Sequence, residues 1–290
     1  MMSKSDKILG IALGGMTFLA CSILIIIIGY VFKEAAGFLL NVSFFEFLTG
    51  SVWDPANTST YQIGPLISGT VAVAALGLFF SLPTAIGLSL LITLYTKNKI
   101  QHFLIKSVDM LAGIPSIVIG FVGLTLLVPF LAELFNMSSG ESTLAGGLVV
   151  GFMMLPYELS TISQKMIKSY RRYHPVIESL AVSKLYGGIK IILPSAKTAI
   201  LSASMQGLAR GLGETMAVML VIGNANLFPG LLTKTSTIAG RIALEMGMAV
   251  VGSEHYQALF AAAFILMTIV LLLNLLNIFL QYKLAGEYDD

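Results

Sequence analysis

The chain has 290 residues, of which 56% are hydrophobic and 11% charged, and its net charge is +2. Soluble domains are about 45–50% apolar and about 25% charged, so a water-facing globular enzyme and a disordered chain are both excluded. The small net charge gives no footprint for nucleic acid, and a single cysteine, Cys21, allows no internal disulfide.

A bilayer core takes about 20 apolar residues per helix, so charge-free runs are read as spans. The first, Ile8–Phe32, follows Lys4 and Lys7. It is longer than a signal-peptide core of roughly 7–15 residues and lacks an A-x-A cleavage pattern, so it reads as a span. An outer segment, about Lys33–Ile63, carries Phe44, Phe45, Phe47, Trp53 and Tyr61, residues suited to a membrane–water interface. A second span is expected from about Ile67 to Leu94 and a third over Met110–Ala132, where Gly113, Pro115, Gly120 and Gly123 soften or kink it. The fourth fits Leu144–Ser163, with Glu158 inside its far end. The fifth, about Ala199–Asn224, carries Arg210 and Glu214, and the sixth is Tyr256–Tyr282. The runs lack the alternation of barrel strands, so the expected fold is an all-α membrane protein of six transmembrane helices. Residues 1–66 form a first helix with an outer aromatic segment, and residues 67–290 a five-helix core.

With the N-terminus placed inside, 13 of the 17 basic residues fall on the cytoplasmic side. By the positive-inside rule, both termini are then cytoplasmic. The largest inner piece is about Gln164–Leu193. It reads either as a basic loop that fixes topology or as a docking element. In the second reading, Val176, Leu180 and Ser183-Lys184 after Pro175 form a short amphipathic helix for a partner's groove.

Between Lys197 and Lys234 the only charges are Arg210 and Glu214. An Arg at mid-helix costs about 2.5–3.5 kcal/mol on insertion scales, so something must offset it. The i, i+4 spacing predicts that both side chains share a helix face. The pair is then either self-neutralised and structural, or the lining of a polar route whose guanidinium suits an oxyanion. Gly207-x-x-x-Gly211 is a close-packing motif, and Gly213 leaves further room nearby. No phosphate-binding loop of the G-x-x-x-x-G-K-[ST] type is present. His102, His174 and His255 are not clustered, and no metal-ligand spacing or nucleophile–base pair is seen, so an intramembrane enzyme has little support.

These segments resemble the permease subunits of binding-protein-dependent ABC importers. The family's inner motif is E-A-A-x3-G-x9-I-x-L-P. Ile191, Leu193 and Pro194 fit it, its glycine position falls on Ala181, and its glutamate position falls on Pro175, with Glu178 three residues late. Gly64-Pro65-Leu66-Ile67-Ser68-Gly69-Thr70, Ala112-Gly113-Ile114-Pro115-Ser116 and Gly207–Val218 followed by Val221-Ile222-Gly223-Asn224 are similar to the C-type permease of the phosphate uptake (Pst) system.

The resemblance implies a type I importer permease fold in a prokaryotic inner membrane. It implies an A-type permease partner, a dimer of ATPase subunits, an extracytoplasmic phosphate-binding protein and contact with membrane lipid, but no nucleic acid. ATP and Mg would be bound by the ATPase partner, leaving this chain without a cofactor, a metal or an enzymatic activity. Arg210 and Glu214 would lie on the translocation path. Gly113, Pro115, Gly207, Gly211 and Gly213 would serve packing or gating. Glu178, Ala181, Ser183, Lys184, Leu185 and Tyr186 would couple to the ATPase. The alternatives are the same fold carrying molybdate, tungstate or sulfate, and a stand-alone ion-coupled transporter or channel.

Overall fold

A computed structural model of the chain describes residues 4–286. Helix α1 (Lys4–Leu39) leads to a short α2 (Phe44–Thr49) and a two-stranded antiparallel ribbon, β1 (Trp53–Asp54) and β2 (Thr60–Tyr61). Helix α3 (Gly64–Tyr95) begins three residues before the expected span. Pro65 explains the early start, because its fixed φ and missing N–H suit a first helical turn. Then come α4 (Asn98–Leu111), α5 (Ser116–Val122), a π-helical turn (Gly123–Leu127) and α6 (Val128–Leu134). The long α7 (Thr143–Ser179) is followed by α8 (Lys184–Gly187), a second π-helical turn (Gly188–Ile192), α9 (Leu193–Ser195) and α10 (Lys197–Leu212). The chain ends with α11 (Met216–Val221), α12 (Ile238–Glu245) and α13 (Glu254–Gly286).

Among the described residues, five helices are long and apolar enough to cross a membrane: Ala12–Leu39, Gly64–Tyr95, Ser116–Leu134, Thr143–Ser179 and Glu254–Lys283. The protein is therefore an all-α membrane protein. The fifth expected run is not a continuous helix. It divides at Gly213-Glu214-Thr215 into α10, of 16 residues, and α11, of six. The third run also starts later than expected. Pro115 has no N–H to continue α4, disfavours a helical Ile114 and is itself extended (ψ 133°), so the chain turns at 112–114 and the span begins at Ser116. Gly113 and Pro115 therefore separate α4 from α5 and do not bend one helix.

Helices α3 and α7 run side by side in the same direction on small residues. A Cβ on Gly151 would stand 2.8 Å from the Gly77 carbonyl oxygen, and one on Gly77 3.0 Å from Val150. Such backbone approach replaces the hydrophobic driving force that lipid removes. Helix α10 runs antiparallel along α7 and closes the seam, while α1 packs on α13 through edge-on contacts of Tyr30 with Phe260 and Phe32 with Phe264.

The outer segment is more buried than its aromatic content suggests. Phe47, Trp53 and Tyr61 are buried in a cluster with Phe38, Ile63, Leu66, Ile238 and Leu259. Only Phe44 and Phe45 remain exposed as interface candidates. Burial of the other three follows from the ribbon, which folds Trp53 and Tyr61 edge-on against each other at 5.4 Å, and Tyr61 edge-on against Phe38 at 5.8 Å.

Candidate functional site

Arg210 occupies the last turn of α10, and the helix stops at Gly213. The Gly213 amide donates to the Arg210 carbonyl (3.2 Å) and the Glu214 amide to that of Gly211 (3.3 Å), which ends α10 in a tight turn. Glu214 lies beyond this turn, so the expected shared helix face does not form. Its Oε1 accepts from the Ala217 amide at 3.4 Å, at the N-terminus of α11, where a negative charge is favoured. Arg210 instead lays its guanidinium over the Tyr157 ring of α7, 4.4 Å from the centroid. It is exposed and borders a small recess with Leu111, Ala112, Ile114, Phe152 and Pro156. The turn between α4 and α5, which contains Gly113, is thus brought to Arg210, although they are far apart in sequence.

One residue away from Tyr157, Glu158 is fully buried, and neither carboxylate oxygen has a hydrogen-bond partner among the described residues. The neighbouring Ser81 hydroxyl on α3 donates to the Met154 sulfur (3.8 Å). Gly207 faces Glu158 so closely that a Cβ there would stand 2.6 Å from Oε1. Gly211 faces Met154 and Val150 in the same way, with a Cβ falling 3.0 Å from Val150 Cγ1. Gly213 makes no such demand, since a Cβ there would meet nothing nearer than the Arg210 carbonyl oxygen of its own turn, 3.7 Å away. Sequence reading placed Glu158 within a span but gave it no role. The available signal was a lone carboxylate in an apolar helix, which is costly unless compensated.

The inner end differs in form from the expected amphipathic helix after Pro175. Pro175 lies inside α7, which continues to Ser179. A turn follows in which Ala181 adopts φ 50°. That is the left-handed region favoured by glycine, so the steric reason for the family glycine at this position is visible here. Ser183 then caps the four-residue α8, its Oγ accepting from the Tyr186 amide at 3.2 Å. Leu185, Tyr186, Val176 and Leu180 are all exposed, as are Lys184 and Glu178. Glu178 lies 3.5 Å from His174. Beneath this surface, Gly187 packs against Ile177, where a Cβ would stand 2.8 Å from Cγ2.

At the opposite end, Glu245 of α12 gathers a charged knot. It accepts from Trp53 Nε1 (2.8 Å), pairs with Arg241 (2.9 Å) and contacts His255 Nε2 (2.8 Å). Burial pushes its carboxyl up, but the hydrogen bonds from Trp53, His255 and Arg241 outweigh that and hold it below the usual carboxylate range. Glu141 is held low by its pairing with Lys234, against a smaller effect of burial.

Similarity over most of the chain places this bundle in a protein class. YqgH of Bacillus subtilis, a probable ABC transporter permease protein, is 31% identical over 97% of this chain and 94% of its own length. The class is the permease subunit of ABC transporters. The phosphate transport system permease protein PstC of Xylella fastidiosa is 30% identical over 79% of this chain and 75% of its own length. A probable phosphate transport system permease protein PstC of Methanocaldococcus jannaschii is 28% identical over 90% and 89%. The chain belongs to the PstC family of ABC permeases. No protein-family profile matches it.

Proposed function

We propose that the protein is the C-type permease of an ATP-driven inorganic phosphate importer, with a type I importer fold and both termini in the cytoplasm. The observation that carries the reading is similarity to phosphate transport system permeases over at least three quarters of the chain. The position of Arg210 supports it. An exposed guanidinium amid apolar side chains is costly against lipid, so this face suits burial against a second permease or a water-filled route between the two. There Arg210 offers a forked donor to phosphate, and Glu214 tempers the positive field without pairing directly with it. The Tyr157 ring holds the guanidinium in place by cation–π attraction and leaves its N–H edge free.

ATP hydrolysis belongs to separate ATPase subunits, which dock on the turn formed by Glu178, Ala181 and Ser183–Tyr186. A phosphate-binding protein delivers the ion to the outer face. The test is ATP-dependent phosphate uptake by vesicles carrying the assembled system, with the Arg210→Gln variant beside the wild type. Loss of uptake with normal assembly and ATPase binding supports the path role, and undiminished uptake overturns it. Excess molybdate and sulfate in the same assay should leave phosphate uptake intact.

A further inference from the structure

A basic cleft lies at one end of the bundle, apart from Arg210. The face of α7 that carries Lys165, Lys168 and Arg172 follows the i, i+3, i+7 spacing of one helix side. These three residues do not simply ring the membrane surface. They line a cleft of about 630 Å3 between α7, the start of α10 and the end of α13. Among the described residues, no Asp or Glu lines it. Among the described residues, Lys165 and Lys168 have no carboxylate partner, and Arg172 contacts only the Tyr173 ring at 5.6 Å.

The remaining wall is built from donors. Ser202 Oγ accepts from both Gln206 Nε2 and Gln281 Nε2 at 3.0 Å, so its lone pairs are used and its O–H is left to donate. Thr198 adds a second hydroxyl in the first turn of α10, a 16-residue helix whose N-terminal amides and dipole favour negative charge. Three cations, two hydroxyls and a helix N-terminus around a space that no described acid lines suit a tetrahedral phosphate group.

We propose that this cleft binds a phosphate group from the basic side of the membrane, either free inorganic phosphate or the headgroup phosphate of an anionic lipid. The site does not rest on which ion the protein transports. An occupant would tie the inner end of α7 to the start of α10, the helix whose far end carries Arg210.

The full chain in phosphatidylcholine nanodiscs is titrated with inorganic phosphate. In parallel, native mass spectrometry reads phosphatidylglycerol retained after reconstitution in mixed lipid. Both measurements are made on an Arg210→Gln background, so that binding on the transport path does not contribute. Phosphate binding in pure phosphatidylcholine identifies the free ion, and retained phosphatidylglycerol alone identifies the lipid. In either case K165Q/K168Q/R172Q should weaken binding by roughly ten- to a hundredfold. The charge-conserving K165R/K168R/R172K should retain it, which separates the site from misfolding. K97Q/K106Q/R171Q, which removes the same charge from other faces, should also retain it. Absence of both ligands from the unsubstituted cleft, or equal loss in the two neutralised variants, overturns the proposal.

Discussion

Ala181 and Gly207 show what single positions demand. Ala181 has φ 50°, where a Cβ costs about 1–2 kcal/mol. Ala181→Gly should therefore raise the thermal stability of the purified protein by about 1 kcal/mol, less the extra freedom gained by the unfolded chain. An unchanged or lower melting temperature would show that the turn is not strained. Gly207→Ala should do the reverse, because its Cβ must displace the buried Glu158 carboxylate, at a cost of about 1–3 kcal/mol. Gly213→Ala should change stability by less than about 0.5 kcal/mol, since space is open and φ is −89°. The sequence presented these glycines alike, as a cluster around Arg210. Their difference depends on which helix lies opposite, and that information is carried by residues some 50 positions away. Arg210 was legible because charges are scarce in apolar runs. Its partner was not, because the i, i+4 argument assumes a helix that continues through Gly213.

At the scale of elements, long apolar runs were read well and interruptions less well. Four of the six expected spans lie within long helices, and the third matches once its start moves to Ser116. The fifth failed as a continuous helix because its polar Gly213-Glu214-Thr215 turn satisfies its own backbone, with Thr215 Oγ1 donating to the Gly213 carbonyl at 3.1 Å. Pro175 misled in the other direction: proline is tolerated inside a long helix whose neighbours and side chains restore the lost bonds. The outer ribbon, α12 and α13 are joined through Glu245, whose carboxyl is held low in the folded state. A depressed carboxylate stabilises above its ordinary pKa and loses that contribution as the pH falls through the folded value. Stability should thus fall as the pH drops below about 4. Glu245→Ala should remove roughly 2–3 kcal/mol at neutral pH and flatten the acid limb of the melting profile. Glu141→Ala, at the more exposed pair with Lys234, should cost less than about 1 kcal/mol. Equal costs would show that burial does not distinguish the two pairs.

For the whole molecule, the question is how a chain with so little charge is divided between two aqueous faces and a partner surface. The basic residues of α4, α7 and α8 gather at one end, while Glu141, Glu245 and Glu254 gather at the other with Lys234 and Arg241. By the positive-inside rule this distribution is what the proposed orientation, with α8 in the cytoplasm and α2 outside, requires. Because Cys21 is the single native cysteine, a cysteine-free background needs one substitution. On a Cys21→Ala background, Leu185→Cys in α8 and Phe45→Cys in α2 offer well-exposed probes at the two ends, 51% and 78% accessible. In sealed right-side-out vesicles, a membrane-impermeant maleimide should label Phe45→Cys at once and Leu185→Cys only after permeabilisation. The opposite pattern would invert the molecule and remove the docking turn from the ATPase side. With the ATPase subunits bound, labelling of Leu185→Cys should slow by at least about tenfold, because Leu185, like Tyr186 next to it in α8, is an exposed apolar residue that the partner would bury. Labelling of Phe45→Cys should not change, so a loss at both sites would point to aggregation and not to docking.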